Sequence, residues 1–189
     1  MFCGSSPGKR QEFRDAAEGF GRLLASEGIE LVYGGGSVGL MGALADAVQV
    51  AGGNVIGVIP EALVNAEIAK KNLHDLRVVR SMHERKQLMS DLADGFVALP
   101  GGFGTFEELL EIVTWAQLGI HLKPIGVLNV AGYYDPLLEL IGRAVSEGFI
   151  STANTELLQV EDNAEALLER LRRHEPRAPA RKWLDRAEA

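Results

Sequence analysis

Arg85 and Glu108 are the charged residues whose placement points to chemistry. On a helical wheel at ~100° per residue, residues 81–93 gather Met82, Met89 and Leu92 into one apolar stripe, and Arg85 falls in its middle. A core-facing arginine needs an anion beside it, from the protein or from a ligand. A structural ion pair, or snorkelling at the helix end, would also account for it. Lys86 lies further off the stripe. In the helical pattern from residue 105, the apolar face centres on Leu109, Ile112, Val113 and Ala116. Glu108 lies at the edge of that face, with Glu107 and Glu111 further toward the polar side, so Glu108 is the acid expected to be partly buried. Thr105-x-x-Glu108 also fits a capping box, in which the glutamate bonds back to the N-cap amide. Periodicity does not separate that role from catalysis.

These acids follow a turn with almost no side chains, "LPGGFGTFEE" at 99–108. Amides at a helix start attract phosphate, and glycine lets the anion approach. No Gly-Lys-Ser/Thr follows, so this is not a P-loop. A second glycine loop, "YGGGSVGLMG" at 33–42, holds Gly34-x-Gly36-x-x-Gly39, with Glu61 further on. That pattern matches the dinucleotide fingerprint and keeps a nicotinamide or flavin oxidoreductase open. In the alternative reading the two loops share one anion site, lined by Gly35, Gly36 and Gly39 and by Gly101, Gly102, Phe103, Gly104, Thr105 and Phe106. "CGSS" at 3–6, with Ser5, would be a third element. The bland reading is that the glycines make tight turns. His74, His83, His121 and His174 have no metal-ligand spacing, and Ser5 and Ser6 have no evident His-Asp partners, so neither a metal site nor a triad is expected.

The elements that must position these groups alternate. Helical patterns at 10–27, 39–53, 81–93, 105–118, 135–147 and 163–173 are interleaved with extended runs "IELVY", "NVIGVIP", "LRVVR", "GFVALP", "PIGVLN" and "LLQVE". This is the signature of an α/β fold, a parallel sheet with helices on both faces, with ligands at the carboxyl ends of its strands. "MFCGSSPG" reads as the end of a strand and a turn. Three residues are too few for a core strand, so the sheet centre is expected to be weak. Residues 1–174 form the expected single domain and 175–189 a peripheral tail.

The chain of 189 residues carries a formal charge of −7, which argues against nucleic-acid binding by phosphate neutralisation. Cys3 is the only cysteine. No run reaches membrane-spanning length and no signal peptide opens the chain, so a cytoplasmic location is expected.

"PGGFGTFEE" resembles the PGGxGTxxE motif of the LOG ("lonely guy") family, the cytokinin riboside 5'-monophosphate phosphoribohydrolases. "SMHERK" at 81–86 resembles its partner motif. "GGGSVGLMG", "WAQLGIHLKPIGVLN", "GYYDPLL" and "EGFI" are similar in the same order. The resemblance implies a Rossmann-like fold, a homodimer, no cofactor, and hydrolysis of a nucleoside 5'-monophosphate to free base and ribose 5-phosphate. It implies Arg85 and Glu108 as the catalytic pair and Gly102 through Glu108, Glu107 included, as the phosphate and ribose loop. Lys86, Glu67 and Thr114 would be substrate contacts. The base pocket is not read from the resemblance: residues near Met82, Trp115 and "EGFI" would line it or serve equally as core. A general purine-nucleotide nucleosidase and a non-enzymatic nucleotide or molybdenum-cofactor carrier are the rival readings. A lysine decarboxylase label often given to such proteins finds no evident pyridoxal-phosphate site here.

Overall fold

The computed structural model describes residues 1–64, 70, 73 and 75–176. In chain order the described elements are α1 (Gln11–Ser26), β1 (Leu31–Tyr33), α2 (Gly39–Val50), β2 (Val55–Pro60) and β3 (Asp75–Val79). They continue with α3 (Met82–Leu92), β4 (Phe96–Ala98), α4 (Phe103–Gln117), β5 (Ile125–Leu128) and α5 (Asp135–Ser146). A short α6 (Thr152–Thr155), β6 (Leu158–Glu161) and α7 (Ala164–Arg172) complete them. The elements follow the expected alternation, apart from α6, which its four residues give no periodicity to reveal. Glu67 and residues 177–189, most of the expected tail, lie outside the described residues.

All strand pairings are parallel, in two three-stranded sheets ordered β1-β2-β3 and β4-β5-β6. β1, β2, β4 and β5 are buried along their whole length, because helices cover both faces. Side chains alternate between two cores. One joins Leu31, Tyr33 and Val97 to residues of α1, α2 and α7; the other joins Val32, Phe96 and Ala98 to residues of α3 and α4.

Residues Met1–Cys3 fill the gap between the sheets. The Met1 nitrogen donates to the Val32 carbonyl on β1, at 2.8 Å. On the other side Phe2 donates to Val97 and accepts from Leu99, each at 2.9 Å, and bridges Ala98 in parallel. The three residues therefore take the central strand position, although they form only a single bridge. From this stub the chain runs through α1 to β1. It later returns through α3 to β4, on the stub's other side. The direction of winding reverses here, which opens a crevice at the carboxyl ends of the strands.

Phe2 is 5% exposed and its ring stacks 6.0 Å from that of Phe96. Phe2→Ala is expected to lower unfolding stability by about 3–5 kcal/mol, measured by denaturant titration. A loss below about 1 kcal/mol would show the stub to be dispensable.

Candidate active site

Helix α3 begins beside the crevice. The Ser81 hydroxyl accepts from the Glu84 amide at 3.1 Å, and the Glu84 carboxylate accepts from the Arg80 amide at 2.8 Å. This Ser-x-x-Glu cap is the one the region uses. It seats the helix one turn before Arg85. The Arg85 side chain is 7% exposed. Its Nη2 donates to the Gly34 carbonyl at 3.3 Å and lies 3.9 Å from Glu108 Oε1. Its Nε is buried and has no hydrogen-bond partner among the described residues. A guanidinium has five N–H donors, so this one retains capacity for a further acceptor.

Helix α4 starts earlier than its periodicity predicts. Gly102 is its N-cap, in extended conformation and with no side-chain cap, and Thr105 is already inside the helix and 4% exposed. The expected Thr105–Glu108 capping box is therefore absent. The sequence reading missed the start because "GGFG" carries too few side chains to show a period. Thr105 instead packs on the loop. A Cβ at Gly101 would lie 2.1 Å from its Oγ1 and 2.9 Å from the Gly4 nitrogen. Gly102 and Gly104 face open space, and Phe103 is 92% exposed. The first-turn amides of a helix have no intrahelical partners, so this end of α4 offers donors and the positive end of its dipole to an anion.

The first glycine loop is built differently. Gly34, Gly35 and Gly36 are buried. Gly35 takes φ +77 and Gly39 φ +63, both in the left-handed region that glycine favours. A Cβ at Gly39 would lie 2.3 Å from the Ser5 backbone. The Gly4 carbonyl accepts from the Leu40 and Met41 amides at 3.0 and 3.3 Å. These are amides that a pyrophosphate would need. Two of the amides that the dinucleotide reading would use are thus bonded within the protein, and Gly35 and Gly39 pack closely against Ile59 and the Ser5 backbone. Ser5 remains exposed at the lip.

Glu108 is the more buried of the adjacent acids, its side chain 13% exposed against 53% for Glu107. Lys86 binds Glu107 at 2.7 Å and Glu111 at 2.8 Å, tying α3 to α4. Burial alone would lower its pKa, but the two carboxylate bonds outweigh that and hold it above the ordinary lysine value. Met82 is 41% exposed, off the expected core stripe, with its sulfur 3.8 Å from Arg85 Nη1. Thr114 is exposed and donates to the Leu110 carbonyl. Phe106 is half-buried against the rings of Tyr133 and Tyr134.

Those tyrosines were not singled out from the sequence, where only their presence in "GYYDP" marks them. A cavity of about 720 Å³ lined by His121, Lys123, Gln159 and His174 lies at the amino ends of β5 and β6. That is the wrong end of a parallel sheet for its ligand.

A Cβ at Gly34 would lie 2.0 Å from Arg85 Nη2. A crystal structure of Gly34→Ala is expected to show the guanidinium displaced from that carbonyl. An unmoved Arg85 would mean that Gly34 does not set its position.

Residues 41–171 match the family model described as possible lysine decarboxylase. The chain is 51% identical, over 93% of its length and 78% of the relative's, to the probable cytokinin riboside 5'-monophosphate phosphoribohydrolase LOGL9 of Oryza sativa subsp. japonica. It is 50% identical to the cytokinin riboside 5'-monophosphate phosphoribohydrolase LOG3 of Arabidopsis thaliana, over 93% of this chain and 82% of that one. Among solved structures, the molybdenum cofactor binding protein of Rippkaea orientalis superimposes with a TM-score of 0.65 at 20% identity, covering 88% of this chain and 90% of that one. The molybdenum cofactor carrier protein of Chlamydomonas reinhardtii gives 0.63 at 22% identity, covering 88% and 93%. At such identities these two share the fold alone. With half its residues identical to those relatives across nearly its whole length, the chain belongs to the LOG family of phosphoribohydrolases.

Proposed function

We propose that this protein hydrolyses the N-glycosidic bond of a cytokinin riboside 5'-monophosphate, and of AMP, to free base and ribose 5-phosphate. The observation that carries the reading is the buried Arg85–Glu108 pair beside the open start of α4. The phosphate sits on the amides of Gly102 through Thr105. The ribose then lies along the first turns of α4, within reach of Glu108. Breaking the C–N bond leaves positive charge on the ribose ring, which a carboxylate stabilises. Glu108 also orients the attacking water and accepts its proton. Arg85 supplies the remaining donors to the phosphate or to the departing base. Binding energy from the phosphate holds the sugar for attack, so a riboside without phosphate reacts poorly. Lys86, Glu107 and Thr114 shape the rim, Glu67 is a further substrate contact, and Met82 borders the base.

The same proposal makes the protein a homodimer. Phe103 and Leu110 on α4, and Leu118 at its C-cap, leave large apolar side chains exposed. Light scattering on a purified sample should give twice the 20.4 kDa chain mass, and a monomer mass would refute the dimer. Cytoplasmic location belongs to the same reading and fits a sole, unpaired cysteine, Cys3. Among the described residues no helix is long and apolar enough to cross a membrane.

The test is chromatographic. Isopentenyl-adenosine 5'-monophosphate, AMP and the matching riboside are incubated with the protein, and free base is measured. Base is expected from both monophosphates but not from the riboside, with the ratio of the two rates reading recognition of the prenyl group. Glu108→Gln is expected to cut turnover by about 10²–10⁴-fold while the circular dichroism spectrum is kept. Base release from neither monophosphate would replace the hydrolase with a carrier on the same fold, and full activity in Glu108→Gln would remove the acid's assignment.

A further inference from the structure

The turn after β5 is strained and tightly tied. Ala131 takes φ +53, a left-handed conformation rare for a residue with a side chain, and Gly132 follows at φ +71. Asn129 closes the turn. Its Nδ2 donates to Asp135 Oδ1, and its Oδ1 accepts from the Tyr134 amide, both at 2.7 Å. The turn presents two consecutive tyrosines to the phosphate loop. Tyr134 donates its hydroxyl to the Leu99 carbonyl at 2.7 Å. Tyr133 donates to the Gly101 carbonyl. The two rings meet edge-on at 5.1 Å, and Phe13 meets the Tyr133 ring at 5.6 Å.

Local strain of this kind persists only where the surroundings over-determine it. Here the surroundings and the strain together aim two hydroxyls at alternate carbonyls of one loop. The two peptides they hold differ in kind. The Leu99–Pro100 peptide has no N–H. The Gly101–Gly102 peptide has one, and in a planar trans peptide it points opposite to its carbonyl. A hydroxyl on the Gly101 carbonyl therefore fixes the direction of the Gly102 N–H, and polarises that peptide toward donation. Gly101 and Gly102 have no side chains of their own to anchor this peptide, so the hydroxyl adds to the backbone bonds that flank it at Pro100 and Gly102.

We propose that Tyr133 is a positioning residue for phosphate, its hydroxyl locking the Gly101–Gly102 peptide so that the Gly102 amide and the start of α4 are preorganised for an anion. This rests on the reading of that loop as the phosphate site. Tyr134 makes the same bond to a peptide with no donor to aim, so its hydroxyl serves the fold alone.

The two variants separate these roles. Ribose 5-phosphate is titrated calorimetrically into the intact protein, into Tyr133→Phe and into Tyr134→Phe, and the thermal midpoint of each is recorded. Tyr133→Phe is expected to weaken ribose 5-phosphate by about three- to tenfold, the worth of one hydrogen bond. KM for AMP should rise in step while the circular dichroism spectrum is unchanged. Tyr134→Phe is expected to lower the midpoint and leave the affinity as it was. Equal affinity in Tyr133→Phe and the intact protein would overturn the proposal, as would equal weakening in both variants. Failure of the underlying reading looks different: the intact protein would itself bind no ribose 5-phosphate, and both would fall together.

Discussion

A guanidinium held out of water is the constraint around which this fold is arranged. Arg85 satisfies part of its bonding on the Gly34 carbonyl and faces Glu108 at 3.9 Å. Leaving such a charge without compensation would cost several kcal/mol, roughly what breaking one partner of a buried pair costs. Three local features follow from accommodating it. Gly34 gives up its side chain, since a Cβ there would stand 2.0 Å from Nη2. The Ser81 cap sets where α3 begins. Lys86, the next residue, grips Glu107 and Glu111 on the helix that carries Glu108. Neighbouring cations thus divide the work, one tying α3 to α4 and the other reaching into the crevice with a donor unspent.

The two glycine loops show how one residue type serves opposite ends. In the first, glycines admit other atoms: the guanidinium at Gly34, Ile59 at Gly35 and the Ser5 backbone at Gly39. In the second, Gly102 and Gly104 have no other described residue against the place a side chain would take. A further difference is the Gly4 carbonyl, which takes the Leu40 and Met41 amides at the start of α2.

Much of this can be read in the sequence where it rests on periodicity. Arg85 emerged because an arginine interrupts an apolar stripe, and Glu108 because it borders one. The strand–helix alternation carries the fold for the same reason. The rest depends on contacts between residues far apart. Nothing near residue 39 shows that Gly4 will occupy its helix start, and nothing near residue 101 shows that Tyr133 will hold its carbonyl. The start of α4 was missed because glycine is a poor helix former and leaves no pattern, although it serves well as an N-cap. Met82 fits the buried stripe by periodicity, yet it is the first residue of α3 and is 41% exposed.

The central stub has a mechanical consequence. Each three-stranded sheet has its own continuous ladder, and residues Met1–Cys3 join them, bonded to Val32 on one side and bridged to Ala98 on the other. The molecule therefore has a seam, and the crevice straddles it. Gly34 is borne by the half that ends at β3 and Arg85 by α3, which packs on that half's strands, whereas Glu108 and the open helix start belong to the half that begins at β4. A small shear along that seam changes the spacing of the reacting groups directly, whereas shear within either half would first have to break a ladder. A ligand bound across both halves would act as a rivet between them.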